Sequence, residues 1–378
     1  MRRFVLVSCD LLKTGGMDRA NYALASYLAR RGDEVHAVAH AAADDLVASP
    51  NVIFHRVPKP MGSYLLGEQL LDRAGRHWAA RLATAGARAL VNGGNCAWGD
   101  VNWVHYVHAA YTPQVGTGTL RRLKGRWSHR VFLKEERTAL AGARLVLANS
   151  ERTRRDLIRY LGVPDQKIRT IYYGIDPERF RPASAAERVE VRRSLGWPAE
   201  QPVVAFIGAL GDRRKGFDTL FSAWQMLVRD GAWDVRLAVM GLGAELPLWK
   251  QRAADAGLAR SIEFMGFRKD VPQIMKACDA LVAPTRYEAY GLGVQEALAC
   301  GLPAIVSAEA GVAERFGDGL RELLLPDAQN AQDLAERLRD WSRQPDQYRA
   351  AVAPLAEALR SRTWDDMARE IAAVMEEA

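Results

Sequence analysis

Residues Arg286 to Ser307 read RYEAYGLGVQEALACGLPAIVS, and the punctuation of this stretch decides the fold. An apolar run precedes it (Ala280 to Pro284) and another closes it (Leu302 to Val306), each short enough for a buried strand. Between them Val294 to Ala299 has helical character and is ended by Gly301 and Pro303. Strand, glycine loop, helix, strand is one turn of a doubly wound sheet. In such a sheet the loop and the helix N-terminus lie at the carboxyl edge, where ligands bind. Backbone N–H groups from Gly291 to Gly293 would face an anion there, assisted by the helix dipole. Glu288 falls in the loop mouth and Glu296 about one turn inside the helix. A carboxylate beside a phosphate site makes sense only if it reads something else, such as sugar or ribose hydroxyls. An ordinary βαβ turn with solvated glutamates has the same spacing.

The full run Glu288 to Pro303, E-A-Y-G-L-G-x-x-E-A-L-A-C-G-x-P, resembles the signature of retaining GT-B glycosyltransferases of family 4 (glycosyl transferases group 1). The resemblance implies an α/β fold of GT-B type, two facing Rossmann-like doubly wound domains with a deep interdomain cleft. It also implies that Glu288 contacts the transferred sugar and Glu296 holds the nucleotide ribose. The loop Ala289, Tyr290, Gly291, Leu292 and Gly293 would hold the diphosphate.

Upstream, VVAFIGAL (203–210) reads as the first strand of the second domain, followed by GDRRKGFDTLFSAWQML, a basic loop opening a helix. Arg213, Arg214 and Lys215 just before a helix suit a diphosphate, although a solvated basic turn has the same composition. The family carries a G-R…K-G pair in this loop. Lys215-Gly216 fits it, but Ala209 stands where the arginine is expected, so Arg213 or Arg214 would supply the missing charge. By the same resemblance Gly266 and Phe267 lie beside the nucleobase. The linker is read at roughly 177–200, rich in charge, Ala and Pro.

In the first half, FVLVSC (4–9), the glycines Gly15 and Gly16, a helix with Ala20, Ala23, Leu24, Tyr27 and Leu28 on one face, and EVHAVAH (34–40) make a βαβ unit. A phosphate could approach Gly16 without a side chain in the way; tight βα turns also need glycine for geometry alone. VNWVHYVHAAY (101–111) alternates like a strand with His108 at its end. His105 and His108 would point to opposite faces of such a strand, which argues against a shared metal. The family places a histidine after this strand beside the reacting sugar, and His108 fits it better than His105. YYGIDPERF (172–180) resembles a family passage in which Asn is common where Tyr173 stands. The resemblance gives a first, acceptor-binding domain over 1–180, joined by a C-terminal helix at about 362–378. It gives a nucleotide-sugar-binding domain over 181–361.

Charge is uneven. Residues 1–180 carry 27 Lys and Arg against 16 Asp and Glu, and the remainder 25 against 29, for a net +7. A basic first half suits an anionic partner. The segment 119–137, TLRRLKGRWSHRVFLKEER, sets Arg121, Arg122, Lys124, Arg126, Arg130, Lys134 and Arg137 around Leu120, Leu123, Trp127, Val131 and Phe132. It reads as a surface for an anionic bilayer, as a solvated helix face, or as a wall of the acceptor site. No nucleic-acid module is present. Four scattered cysteines without paired spacing argue for a reduced compartment and against structural zinc. The N-terminus reads as a strand and not a signal peptide, and no apolar run approaches a membrane span. The expected location is cytoplasmic, peripheral to the inner face of the membrane if the basic segment binds lipid.

The function the resemblance implies is transfer of a sugar from a UDP, GDP or ADP sugar to a hydroxyl of a glycan, lipid-linked or small-molecule acceptor. No cofactor and no metal are expected, since no DxD triplet occurs. The catalytic candidates are His108, Glu288 and Lys215. The competing expectations are a GT-B epimerase or phosphorylase and a non-catalytic nucleotide-sugar-binding protein. A nicotinamide dehydrogenase is disfavoured because no GxGxxG follows a first strand.

Overall fold

The computed structural model describes residues 1–114, 119–211, 213–231 and 233–377, without a side-chain account of residues 64 and 119–122. Two parallel sheets organise the chain. The first contains β1 (Arg3–Val7), β2 (Glu34–Ala39), β3 (Val52–Arg56), β4 (Arg88–Asn92), β5 (Val101–Val104), β6 (Leu145–Ala148) and β7 (Ile168–Thr170), in the order β3-β2-β1-β4-β5-β6-β7. The second contains β8 (Val203–Ile207), β9 (Arg236–Met240), β10 (Ile262–Gly266), β11 (Ala280–Ala283), β12 (Ala304–Ser307) and β13 (Leu324–Leu325), in the order β10-β9-β8-β11-β12-β13. Helices on both faces leave the central strands with no solvent side, and β11 and β12 are buried at every position.

The helices of more than one turn in the first half are α1 (Gly16–Arg30), α2 (Tyr64–Ala83), α3 (Thr119–Gly142) and α4 (Glu151–Leu161). The second half has α5 (Ala185–Leu195), α6 (Phe217–Arg229), α7 (Leu246–Asp255), α8 (Val271–Ala277), α9 (Leu292–Ala299), α10 (Ala331–Arg343) and α11 (Pro345–Arg360), and α12 (Trp364–Glu377) closes the chain. Contacts divide the chain into a unit built on Met1–Thr112, Leu123–Gly174 and Arg362–Ala378, and a second built on Ile175–Ser361. The chain therefore changes unit after Gly174. A Cβ there would lie 2.2 Å from the Thr363 carbonyl oxygen, so only glycine lets the outgoing and returning segments of the first unit pass this closely. α12 packs along α1 through Arg30–Asp365 and Arg31–Glu376 ion pairs of 2.6 Å.

Three local expectations need correction. The stretch read as a linker, 177–200, contains α5, which starts with a capping box between Ser184 and Glu187. Its Arg192 is buried, bonded to Asp279 and to the carbonyls of Ala277, Pro198, Ala199 and Gln201. The charges that suggested a solvated linker are therefore part of the packing. Helix α9 starts at Leu292, two residues before the expected Val294, because Gly291 at φ 111° turns the chain directly into it. Finally, β5 ends at Val104, and His108 opens a separate 3-10 turn, His108–Ala110.

Candidate active site

In the second sheet the chain runs outward from β8 to β10, then returns to the other side of β8 to make β11. The loops after β8 and β11 thus leave neighbouring strands in opposite directions, which is the switch point where doubly wound sheets bind ligands. The loop after β8 forms a 3-10 turn, Arg213–Lys215, and Gly216 follows at φ 70°. A Cβ on Gly216 would lie 1.8 Å from the Pro284 carbonyl oxygen, so the turn is pressed against the end of β11. The stem of Lys215 runs over Gly208, where an added Cβ would meet its Cγ at 3.1 Å. This brings the Lys215 ammonium onto the Glu288 carboxylate across the switch point.

The three cations diverge. Arg214 Nη1 lies 3.8 Å from Glu288 Oε2 and donates to the Tyr287 carbonyl at 3.3 Å. Arg213 turns the other way, with Nε 3.9 Å from Asp218 Oδ2, and lines a surface groove with Phe221, Trp249 and Arg252. Asp218 is held by Arg286 through bonds of 2.7 and 2.9 Å, and Arg286 also donates to the Arg213 carbonyl. Arg286 therefore ties the loop after β11 to the cationic turn, a role its place at the head of the quoted stretch did not suggest.

Lys215 and Glu288 side chains are only 20% and 16% exposed. Burial pushes the Glu288 carboxyl up, but the charges of Lys215 and Arg214, with the Lys215 hydrogen bond, more than offset it. The net result is a carboxyl below its ordinary range, and so an anion at neutral pH. The main chain around Glu288 is fixed by Gly311 N donating to its carbonyl at 3.0 Å and Val312 N to that of Tyr290 at 2.7 Å. The Tyr290 hydroxyl donates to Gln295, and both side chains are buried, so Tyr290 and Ala289 shape the loop from below.

Gly291 leads into α9, whose first internal bonds are Val294 N and Gln295 N to the Gly291 carbonyl. The N–H groups of Leu292 and Gly293 precede this bonding and point out of the helix N-terminus. Glu296 lies on the same helix, just over one turn in, and is partly exposed. Gly266 ends β10 at φ 69°, and Phe267 beyond it is 62% exposed. The second unit thus brings Lys215, Arg214, Glu288 and the Gly291–Gly293 amides together on one sheet edge.

In the first unit Gly16 is the first residue of α1, after Gly15 at φ 82°. It follows β1, at that sheet's own switch point between β1 and β4. His105 and His108 have distinct settings. His105 lies inside a buried network: Nε2 faces the amides of Asn21 and Asn92 at 3.3 Å each, and Nδ1 faces the Tyr173 hydroxyl. Tyr173 thus packs against this histidine, and Asn149 donates to its hydroxyl at 3.1 Å. Burial holds His105 down to about 3. His108 is partly exposed, with Tyr106 edge-on at 4.9 Å and Phe132 at 5.3 Å. Burial, aided by His129, holds it down to about 4, so it is neutral in ordinary buffers. Among the described residues no group of three or more His, Cys, Asp or Glu side chains is arranged to hold a metal ion.

Residues 14–179 match the model of Glycosyltransferase Family 4, and residues 187–356 that of Glycosyl transferases group 1. The chain belongs to this family of GT-B glycosyltransferases. A D-inositol 3-phosphate glycosyltransferase of Saccharomonospora viridis is 28% identical over 92% of this chain and 84% of its own length. Alignments to other curated relatives span as little as 48% or 50% of those proteins. The crystal structure of WaaG, a glycosyltransferase involved in lipopolysaccharide biosynthesis, shares the fold with a TM-score of 0.78 at 20% identity, over 98% of this chain and 99% of that one. Anabaena HepE in complex with UDP-glucose shares it with a TM-score of 0.74 at 18% identity over the whole of both chains.

Proposed function

We propose that this transferase moves a hexosyl unit from a nucleoside-diphosphate sugar to an acceptor hydroxyl, with retention of anomeric configuration and without a metal ion. The observation that carries the reading is the meeting of Lys215, Arg214 and Glu288 beside the N-terminus of α9. When the anomeric carbon–oxygen bond breaks, positive charge develops on the sugar and negative charge on the departing diphosphate. Preorganised N–H groups and cations stabilise such a leaving group most effectively. Lys215, Arg214 and the amides of Gly291 to Gly293 have that chemistry.

Arg214, and not Arg213, replaces the arginine absent at Ala209, because only Arg214 turns toward Glu288. Glu288 accepts hydroxyls of the transferred sugar while its anion is balanced by Lys215. Glu296 binds the ribose, and Gly266 with Phe267 borders the base. No carboxylate is assigned as nucleophile: the acceptor oxygen attacks on the side the diphosphate leaves, and a phosphate oxygen takes the acceptor proton. His108, being neutral, orients the sugar or acceptor by hydrogen bonding.

A UDP sugar heads the donor panel because of the likeness to HepE, with GDP and ADP sugars beside it; the acceptor is a glycan, a lipid-linked saccharide or a small molecule. The test is acceptor-dependent release of nucleoside diphosphate in EDTA, with the product anomer assigned by NMR. Loss of turnover in EDTA, or an inverted product, would refute the metal-free retaining reading.

We also propose peripheral contact of α3 with an anionic membrane. Leu123 and Trp127 are 61% and 58% exposed on it, among Lys124, Arg126 and Arg130; the expectation for Leu120, Arg121 and Arg122 lies outside the described side chains. No described helix is long and apolar enough to cross a membrane. Co-sedimentation with phosphatidylglycerol vesicles that persists unchanged in Trp127→Ser would remove this assignment.

A further inference from the structure

The 3-10 turn that carries His108 belongs to neither sheet nor a long helix, so something else must hold it. Its N–H groups at His108 and Ala109 both donate to one carboxylate, Glu136 of α3, at 2.8 and 3.1 Å. Successive N–H groups converging on an anion form a nest of the kind that binds phosphates; here the acceptor is the protein's own carboxyl, which burial pushes up to about 7 against the pull of these two N–H groups. Glu136 is 1% exposed. It sits one helical turn after Phe132, whose ring packs on the His108 imidazole, so one face of α3 grips both the backbone and the side chain of this residue. The helix is itself braced at this point: a Cβ on Gly94, in the turn after β4, would lie 3.0 Å from the Glu136 nitrogen. The turns that follow β4 and β5 are thereby referenced to a single helical step.

We propose that Glu136 is a positioning residue for sugar transfer, fixing through its two backbone hydrogen bonds the turn that presents His108. The inference rests on the reading of His108 as a residue that orients the sugar or acceptor. A carboxyl is costly to bury, and filling space alone would be served by glutamine or leucine. What the carboxylate adds is two acceptor oxygens in one plane, one for each N–H. Glutamine offers one oxygen and sets an NH2 group against the other N–H, so the turn must shift.

A shift of about 1 Å at a reacting group costs on the order of 10- to 100-fold in rate. Glu136→Gln should therefore lower kcat by about that factor while leaving the donor KM within about twofold. His108→Ala should be comparably slow, and the double variant no slower than His108→Ala alone, since both changes act through one side chain. Multiplying losses in the double variant, or Glu136→Gln with normal kcat beside a crippled His108→Ala, would overturn the proposal. Full activity of His108→Ala would instead remove the reading of His108. Amide exchange in the unaltered enzyme then decides the clamp by itself: protection at His108 and Ala109 supports it and rapid exchange overturns it. Should Glu136→Gln fail to fold, Glu136→Asp carries the same cycle, because its shorter carboxylate cannot reach both N–H groups.

Discussion

Lys215→Ala should separate catalysis from donor binding. The ammonium has two roles in the account: it balances Glu288 within the protein and it meets the charge that develops on the departing diphosphate. The second is realised mainly in the transition state, so its loss should fall on kcat. Removing one preorganised donor from a developing oxyanion costs about 2.7–4 kcal/mol, or on the order of 100- to 1000-fold in kcat, with a smaller change in donor KM. The first role sets the effect on stability. Removing one partner from a buried ion pair costs about 3–5 kcal/mol when the other charge is left alone. Glu288 is not left alone, because Arg214 stays 3.8 Å away and the pair retains some exposure. The variant should therefore lose less than that range and remain folded. Its Glu288 carboxyl should rise, since the largest charge opposing the effect of burial is gone. The assay is steady-state release of nucleoside diphosphate at varied donor and saturating acceptor, beside urea unfolding of the same preparations. A kcat within about threefold of the parent, in a folded variant, would refute the assignment of Lys215 to the leaving group.

The divergence of the arginines gives a second test: Arg214→Ala should slow turnover more than Arg213→Ala, and Ala209→Arg should restore part of the loss in the Arg214→Ala background. Equal effects, or no rescue, would mean that the charge missing at Ala209 has not moved to Arg214. Stability should also respond to pH through Glu68, whose carboxyl is pushed up to about 7 by burial and by Glu135. Between its ordinary value and about 7 the folded state holds the extra proton, so its contribution to stability falls as pH rises through that window. Unfolding by urea at pH 5 and pH 7.5 should then show Glu68→Gln losing less, or gaining more, across the interval than the parent. Titration of the groups that do not face Glu68 is common to both proteins and cancels, while Glu135 is relieved in the variant, so an identical pH response would contradict the burial of this carboxyl.

Much of this was legible in the residues because parallel strands covered on both faces are written as short apolar runs. β8, β11 and β12 stand out for that reason, and the glycines between Glu288 and Glu296 mark where the chain turns. The pairing of Lys215 with Glu288 was not legible, since they lie 73 residues apart and meet only because β11 returns to the flank of β8. Composition misled at α5, where Arg188 and Arg192 serve Asp279 and not solvent. The Ser184–Glu187 spacing was the available signal there. Alternation misled at 101–111: the strand stops at Val104, and the residues beyond it owe their conformation to Glu136 and to the Tyr173 network. Glu136 carried no local signal. A glutamate in a basic amphipathic helix reads as solvated until a turn from elsewhere presents two N–H groups to it.

The most direct test of the central claim is calorimetric titration of UDP, GDP and ADP sugars into the enzyme in EDTA, repeated with Glu296→Ala. The account predicts saturable one-to-one binding of one nucleotide class without metal. It predicts that Glu296→Ala weakens binding by about 10- to 100-fold, the worth of charge-assisted bonds to a ribose. Absence of binding by every donor, or binding of equal strength in Glu296→Ala, would contradict a nucleotide-sugar site built on the N-terminus of α9.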